Sequence, residues 1–521
     1  MVDFLNRYPD RQAATVLREG FQVGFRIPCE RVALTRVHKN LRSALQYPGV
    51  VTGKLRKEVA LGRMAGPFRE LPLRNLVISP LGVVPKKEPG QFRMIHHLSY
   101  PTGESVNDGI APELCRVVYT SFDRAVALVR KAGKGCLMAK ADVESAFRLL
   151  PVHPESFWLL GCCWEGAFYV DKCLPMGCSI SCSLFEMFSS FLEWVVKEVS
   201  GVQSIIHYLD DFLCVGPSGS SVCANLLGTL EHVAGQFGVP LAGDKTVGPV
   251  TELAFLGILL DSVHMECRLP EDKLEALKGE VRRACCLEKI RLVELQSLLG
   301  KLNFACRIMP MGRIFSRRLA AATAGIKRPE HFVRLTKVLR QDLGVWRQFL
   351  EQYNGRSLWL EAQVDNEFLE LWTDAAGSSG FGAYFAGHWC AEAWPEDWRR
   401  LGLCKNLILL ELFPLVVALT LWGSQLQNRK VRFHCDNMGV VEVINNNSAS
   451  SPQVICLLQH LVLVCLRLNV FVRAVHVPGC ENVIADSLSR FQWDRFRELA
   501  PGADVQGTPC PEGLWSVIWG H

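Results

Sequence analysis

The chain has no C-x-x-C pair among its 21 cysteines, so no zinc knuckle or ribbon is written into it. A protease Asp-Ser/Thr-Gly motif is missing as well. No repeat of fixed period is visible, which excludes solenoids and propellers. Met1 to Glu19 carries several charges and no apolar centre, and is not read as a signal peptide. No uncharged apolar run reaches the roughly 20 residues a bilayer needs. The most hydrophobic stretch, Leu407 to Trp422, contains Glu411 and Pro414 and reads as a buried helix. A strong charge of either sign is lacking too: 57 Lys and Arg against 52 Asp and Glu leave +5. That balance permits local contact with nucleic acid without demanding it. The cysteines sit mostly in apolar segments, as free thiols do, which fits a reducing, intracellular compartment.

What is present is a large folded protein of two to four domains: 521 residues, 49% hydrophobic and 21% charged. The chain is organised around Ile205 to Val215, where Asp210 and Asp211 lie between two short apolar runs. Such runs read as strands, and the pair as the tip of a hairpin. Adjacent carboxylates repel unless a cation is near. A divalent metal and a solvated acidic turn both fit this stretch taken alone.

Other carboxylates sit at element ends. Gly135 to Asp142 is an apolar strand ending in Asp142, placed for a metal or for a helix cap. Leu76 to Pro85 and Phe92 to Leu98 form a hairpin bearing Lys86, Lys87 and Arg93, which suits a triphosphate or a solvated turn. Leu174 to Gly177 is a turn opening a long apolar helix, and Val222 to Phe237 is another helix. Ala254 to Leu260 reads as a strand whose central Gly257 marks a bulge or a close approach. From Pro270 to Leu350 the pattern is helical and basic, and Arg36 to Arg42 reads as a solvated helix face. A second domain starts near Asp365, with three strands between Phe368 and Trp394. The buried helix and a strand ending in Asp436 follow, then a short helix bearing Asp486. The tail from Pro501 is rich in Pro and Gly and reads as loose.

The first constellation resembles the palm of a reverse transcriptase. Asp142 in Ala141-Asp142-Val143 matches the first catalytic aspartate, and Tyr208-Leu209-Asp210-Asp211 matches the Tyr-x-Asp-Asp pair. Leu174-Pro175-Met176-Gly177 matches the Leu-Pro-x-Gly turn, with Met176 where retroviral enzymes commonly carry Gln. Phe255, Leu256 and Gly257 match the primer grip, Lys86 and Arg93 the fingers cations, and Phe147 the aromatic gate against a ribose 2′-OH. The second constellation resembles a ribonuclease H domain, with Asp374, Glu411, Asp436 and Asp486 as its carboxylates and His476-Val477-Pro478-Gly479 as its loop. The phrasing is most similar to DIRS-group retrotransposons.

The resemblance implies a multidomain α+β and α/β fold: a right-hand polymerase, then a helical connection and an RNase H-like mixed sheet. Fingers and palm would occupy 76–265, thumb and connection 266–364, and the nuclease 365–495. A lead-in at 1–75 and a loose tail at 496–521 would flank them. It implies two Mg²⁺ or Mn²⁺ ions per site, with RNA template, DNA primer, RNA–DNA hybrid and dNTPs as partners. The competing readings are a retroelement relic that binds nucleic acid without catalysis, and a recombinase built on His331-Phe332-Val333-Arg334 with Tyr353.

Overall fold

The computed structural model describes residues 1–30, 38–86, 90–309, 312–352, 369–427, 429–446, 449–468 and 470–519. Arg36, Lys87, Tyr353 and Asp365 lie outside the described residues. The chain forms two compact units, Met1–Leu256 with Ser262–His264, and Gly257–Asp261 with Met265–His521.

The first unit opens with helices α1 (Val2–Arg7), α2 (Arg11–Val23), α3 (Arg42–Gln46) and α4 (Pro48–Ala60), then strand β1 (Met64–Phe68). Asp10 caps α2, its carboxylate accepting from the Ala13 amide at 2.9 Å. α2 turns Ala13, Ala14, Leu17 and Gly20 inward, and Tyr8 meets Phe191 and Trp194 edge-on at 5.3 and 5.2 Å. The stretch 1–75, expected to be irregular and partly helical, holds these four helices among its described residues. Its first helices share the main core, because their apolar faces need a partner and find it there.

β2 (Leu81–Pro85) and β3 (Phe92–His96) form the expected hairpin, with Val84 opposite Arg93. Helix α5 (Phe122–Ala132) and strand β4 (Leu137–Asp142) follow, then the hairpin of β5 (Gly161–Trp164) and β6 (Ala167–Asp171), which β1 joins. Next come α6 (Ser181–Ser200), β7 (Ile205–Tyr208), β8 (Asp211–Gly216), α7 (Val222–Phe237), β9 (Val247–Val250) and β10 (Glu252–Phe255). An antiparallel sheet runs in the order β7-β8-β4-β9. α6 and α7 cover it with Phe185, Phe188, Phe191, Leu226 and Leu230, all essentially inaccessible. Each such side chain contributes about 1.5–3 kcal/mol on burial. The strand expected over 254–260 is broken: Leu256 and Gly257 take φ of 48° and 77°, so β10 ends there and a new strand starts.

The second unit begins with the hairpin of β11 (Ile258–Asp261) and β12 (Glu266–Arg268). The basic region is α8 (Glu271–Cys285), β13 (Lys289–Arg291), α9 (Leu292–Ala305), α10 (Arg313–Ala321), β14 (Phe332–Arg334) and α11 (Lys337–Gln352). Several of its cations are ion-paired internally: Arg282 with Glu351, Arg283 with Glu294, Lys301 with Glu280 and Arg318 with Asp342.

Then come β15 (Leu369–Ala375), β16 (Gly380–Phe385), β17 (His388–Ala393), α12 (Glu396–Arg400), α13 (Leu407–Leu426), β18 (Lys430–Cys435), α14 (Met438–Asn446), α15 (Pro452–Leu468), β19 (Phe471–His476), α16 (Val483–Ser489) and α17 (Trp493–Leu499). The sheet order is β17-β16-β15-β18-β19, antiparallel on one side of β15 and parallel on the other. α13 is the crossover that makes β18 parallel to β15. By length and composition α13 is apolar enough to cross a membrane, yet it is mostly buried in this unit.

The tail is not loose. Trp515 stacks on Phe413 of α13 at 4.7 Å and meets Trp398 edge-on at 5.5 Å, while Leu514 and Ile518 are buried. A 3₁₀ helix, Glu512–Trp519, carries these apolar residues, and Trp515 on it covers α13.

Candidate active sites

β4 ends at Asp142 and β8 begins at Asp211, and the two residues are direct partners across the ladder. Tyr208 pairs with Asp211, leaving Leu209 and Asp210 as the two-residue connection between β7 and β8. Leu209 takes a left-handed φ of 52° there. Backbone bonds brace the cluster: the Asp210 carbonyl accepts from Val143 N at 2.9 Å, and the Asp142 carbonyl from Ala242 N at 2.8 Å. The register thus brings together the three aspartates that the sequence singled out.

Their electrostatics are those of crowded like charges. Burial, then Asp142 and Asp211, push Asp210 up to about 6. Burial and Asp142 also raise Asp211, against the pull of Lys140 and Lys245. Lys245, in the loop after α7, donates to Asp142 Oδ1 at 2.8 Å. The sequence reading missed Lys245, since a lysine in a polar loop gives no periodic signal. The donor set is oxygen only and short of positive charge, which fits a hard divalent cation.

Lys86 and Arg93 are exposed on the β2–β3 hairpin, and neither pairs with a carboxylate among the described residues. Phe147 is half-buried and set edge-on against Phe185 at 5.6 Å. Met176 is exposed. Beside it Gly177 takes φ of 118°, and a Cβ there would stand 2.4 Å from the His96 carbonyl oxygen, so only glycine fits this turn. At Gly257 a Cβ would meet only the flexible end of Lys273, whose Nζ donates to the Gly257 carbonyl at 2.9 Å, and the Phe304 ring; Phe255 and Leu256 precede it at the break.

The second cluster lies on the five-stranded sheet. Asp374 comes from β15, Glu411 from the first turns of α13, Asp436 from the end of β18 and Asp486 from α16. Burial first, then Asp374 and Asp436, push Glu411 up to about 9, and its Oε2 is buried without a hydrogen-bond partner. Burial likewise raises Asp374 to about 6; Asp436 and Asp486 add to this, and Ser489 Oγ and Arg490 oppose it. Asp486 is half-buried and paired with Arg490 at 2.7 Å and Arg495 at 2.9 Å. Cys435 offers its Sγ within 4.8 Å of the Glu411 and Asp436 carboxylates. His476 is exposed, its Nε2 3.1 Å from the Asp436 carbonyl. A buried carboxylate oxygen with nothing to bind, inside a ring of acids, again fits a hard cation. Ser489 and Arg490 escaped notice in the sequence, although they stand at helical spacing from Asp486.

The His331 to Arg334 stretch overlaps β14, where Val333 pairs with Ile290. It has a structural task in that small sheet, and Tyr353 lies outside the described residues.

Residues 84–260 match the family model described as Reverse transcriptase (RNA-dependent DNA polymerase). That stretch, which contains Asp142, Asp210 and Asp211, is a reverse transcriptase domain, and its homologues include viral polyproteins. The chain is 28% identical over 269 residues to the Gag-Pro-Pol polyprotein of Human T-cell leukemia virus 3 (strain 2026ND), covering 50% of this chain and 17% of that protein. It is 29% identical over 168 residues to Protein P of Duck hepatitis B virus (strain China), covering 31% of this chain and 20% of that protein. The chain thus spans a fifth or less of the length of these relatives. Among solved structures it is similar to the foamy viral protease-reverse transcriptase in complex with RNA/DNA hybrid. That pair is 16% identical with a TM-score of 0.49, over 91% of this chain and 62% of the other.

Proposed function

We propose that the chain is an RNA-directed DNA polymerase that also degrades the RNA strand of RNA–DNA hybrids, serving an intracellular DIRS-like retrotransposon. The observation that carries the polymerase reading is the pairing of Asp142 with Asp211, with Asp210 in the adjoining turn, inside the stretch matched to reverse transcriptases.

The substrates are an RNA template, a DNA primer and dNTPs. The primer 3′-hydroxyl attacks the α-phosphate, a new O–P bond forms, and pyrophosphate leaves. Two Mg²⁺ or Mn²⁺ ions, when bound, stabilise the attacking and leaving oxygens of such an in-line displacement. Asp142, Asp210 and Asp211 are the residues that would hold them. Lys86 and Arg93 neutralise triphosphate charge. Phe147, its ring seated against Phe185, excludes a ribose 2′-OH, and Met176 lines the nucleotide site. The turn at Phe255, Leu256 and Gly257 steadies the primer end. The basic helices hold the duplex by its phosphates without reading sequence.

In the nuclease, water takes the place of the hydroxyl. Asp374, Glu411, Asp436 and Asp486 are the residues that would hold the cations, and His476 assists proton transfer or product release. The unpartnered oxygen of Glu411 supports this reading.

One assay tests both halves: purified protein, a primed RNA template, dNTPs and Mg²⁺, scored for extension and for hybrid degradation. Asp210→Asn is expected to abolish extension and leave hybrid cleavage intact. Glu411→Gln is expected to do the reverse. Unchanged extension by the first variant rejects the polymerase site; equal cleavage by the second rejects the nuclease site.

A further inference from the structure

The polymerase reading leaves unused a set of partly buried charged groups around His207, beside the aspartate turn. His207 on β7 is 5% exposed. Its Nε2 lies 3.1 Å from Glu186 Oε1, and its Nδ1 bonds Glu193 Oε2. Both acids stand on one face of α6, two turns apart, and Glu193 also pairs with Lys197. A carboxylate only accepts, so a ring with a carboxylate at each nitrogen must donate from both and carry a proton. Burial alone would lower the pKa of His207, but Glu186 and Glu193 outweigh it and raise it to about 9.

The remaining oxygen of Glu186 leads to the active site. Oε2 accepts from the backbone N–H of Leu209 at 3.3 Å. Leu209 is the left-handed residue between Tyr208 and Asp210, a conformation that a γ-branched side chain adopts only when its surroundings impose it. The polar chain therefore runs from α6 through a charged imidazole to the amide just ahead of the two aspartates.

We propose that Glu186 is a positioning residue of the polymerase site: locked by His207, its carboxylate grips the Leu209 amide and fixes the turn that presents Asp210 and Asp211. This rests on the polymerase reading above. Glu186 acts through the backbone, so it governs the rate of the chemical step and not the affinity for nucleotide.

The test compares Glu186→Ala and Glu186→Gln with wild type, using Leu17→Ala as a control. Leu17 is a buried residue of the same core, on the N-terminal helix α2. Hydrogen exchange of the peptide spanning 205–213 is read beside primer extension. Glu186→Ala is expected to speed exchange there at least tenfold and to lower kcat at least tenfold, with KM for dNTP within twofold of wild type. Glu186→Gln keeps an acceptor oxygen and should restore both to within about threefold. Leu17→Ala should lower the melting temperature and leave both unchanged. Exchange that stays slow in Glu186→Ala overturns the proposal, as does a kcat loss no greater than that of Leu17→Ala. If wild type extends no primer, the polymerase reading fails, while the exchange data still decide whether Glu186 holds the turn.

Discussion

Lys245 Nζ stands 2.8 Å from Asp142 Oδ1, so the carboxylate that ends β4 has a cationic partner of its own. That ammonium competes with a divalent cation for the same oxygen. Lys245 is largely exposed, and such pairs contribute about 1 kcal/mol or less. Lys245→Ala is therefore expected to leave the melting temperature nearly unchanged and to tighten Mn²⁺ binding at the polymerase site by roughly threefold. Calorimetric titration with Mn²⁺ measures this. Weaker binding would mean that Asp142 does not face the cation.

Glu411 makes a sharper forecast in chelator. Its pKa rises from 4.5 in the unfolded chain to about 9 in the fold, so the native state holds a proton that the unfolded state gives up. A raised carboxylate stabilises the fold least at high pH: stability declines from pH 4.5 upward until the group ionises near 9. Glu411→Gln removes that decline, at about 1.4 kcal/mol for each tenfold change in the proton equilibrium. Urea unfolding at pH 5, 7 and 9 should show the variant gaining on wild type as pH rises. Parallel curves would place Glu411 in contact with water.

The same sign holds for His207, over a narrower pH range. Its pKa rises from 6.5 to about 9, so its contribution is fully present below pH 6.5 and is lost as pH climbs through 9. The ceiling is about 3 kcal/mol. His207→Gln should flatten the fall in melting temperature between pH 6.5 and 9. A fall of equal size in both proteins would assign it to other groups.

Trp515 is expected to matter despite its position near the C-terminal end. Trp515→Ala removes the stack on Phe413 and should cost the second unit about 2–4 kcal/mol. Thermal unfolding followed by near-ultraviolet circular dichroism reads this directly. No change would mean that the tail is detached in solution.

The carboxylates and their settings were legible without coordinates. Asp142 stands at the end of an apolar run, Asp210 and Asp211 fall between two such runs, and Glu411 interrupts an apolar helix. Periodicity of two or 3.6 residues is local, so strand ends, turns and a core helix could be placed from neighbours alone. The reading went astray where long-range packing overrides local pattern. Pro and Gly after residue 500 signalled looseness, yet Trp515, Leu514 and Ile518 anchor that segment. The run 254–260 read as one strand, yet it is broken at Leu256 and Gly257.

The sequence by itself determined which acids are available and which element each one ends or interrupts. Tertiary structure alone decided who stands beside them. Lys245 reaches Asp142 across 103 residues, and Ser489 reaches Asp374 across 115. His207 joins Glu186 and Glu193 only because β7 lies against one face of α6. Such partners depend on register and on how helices pack against a sheet, and no short-range pattern of residues encodes either.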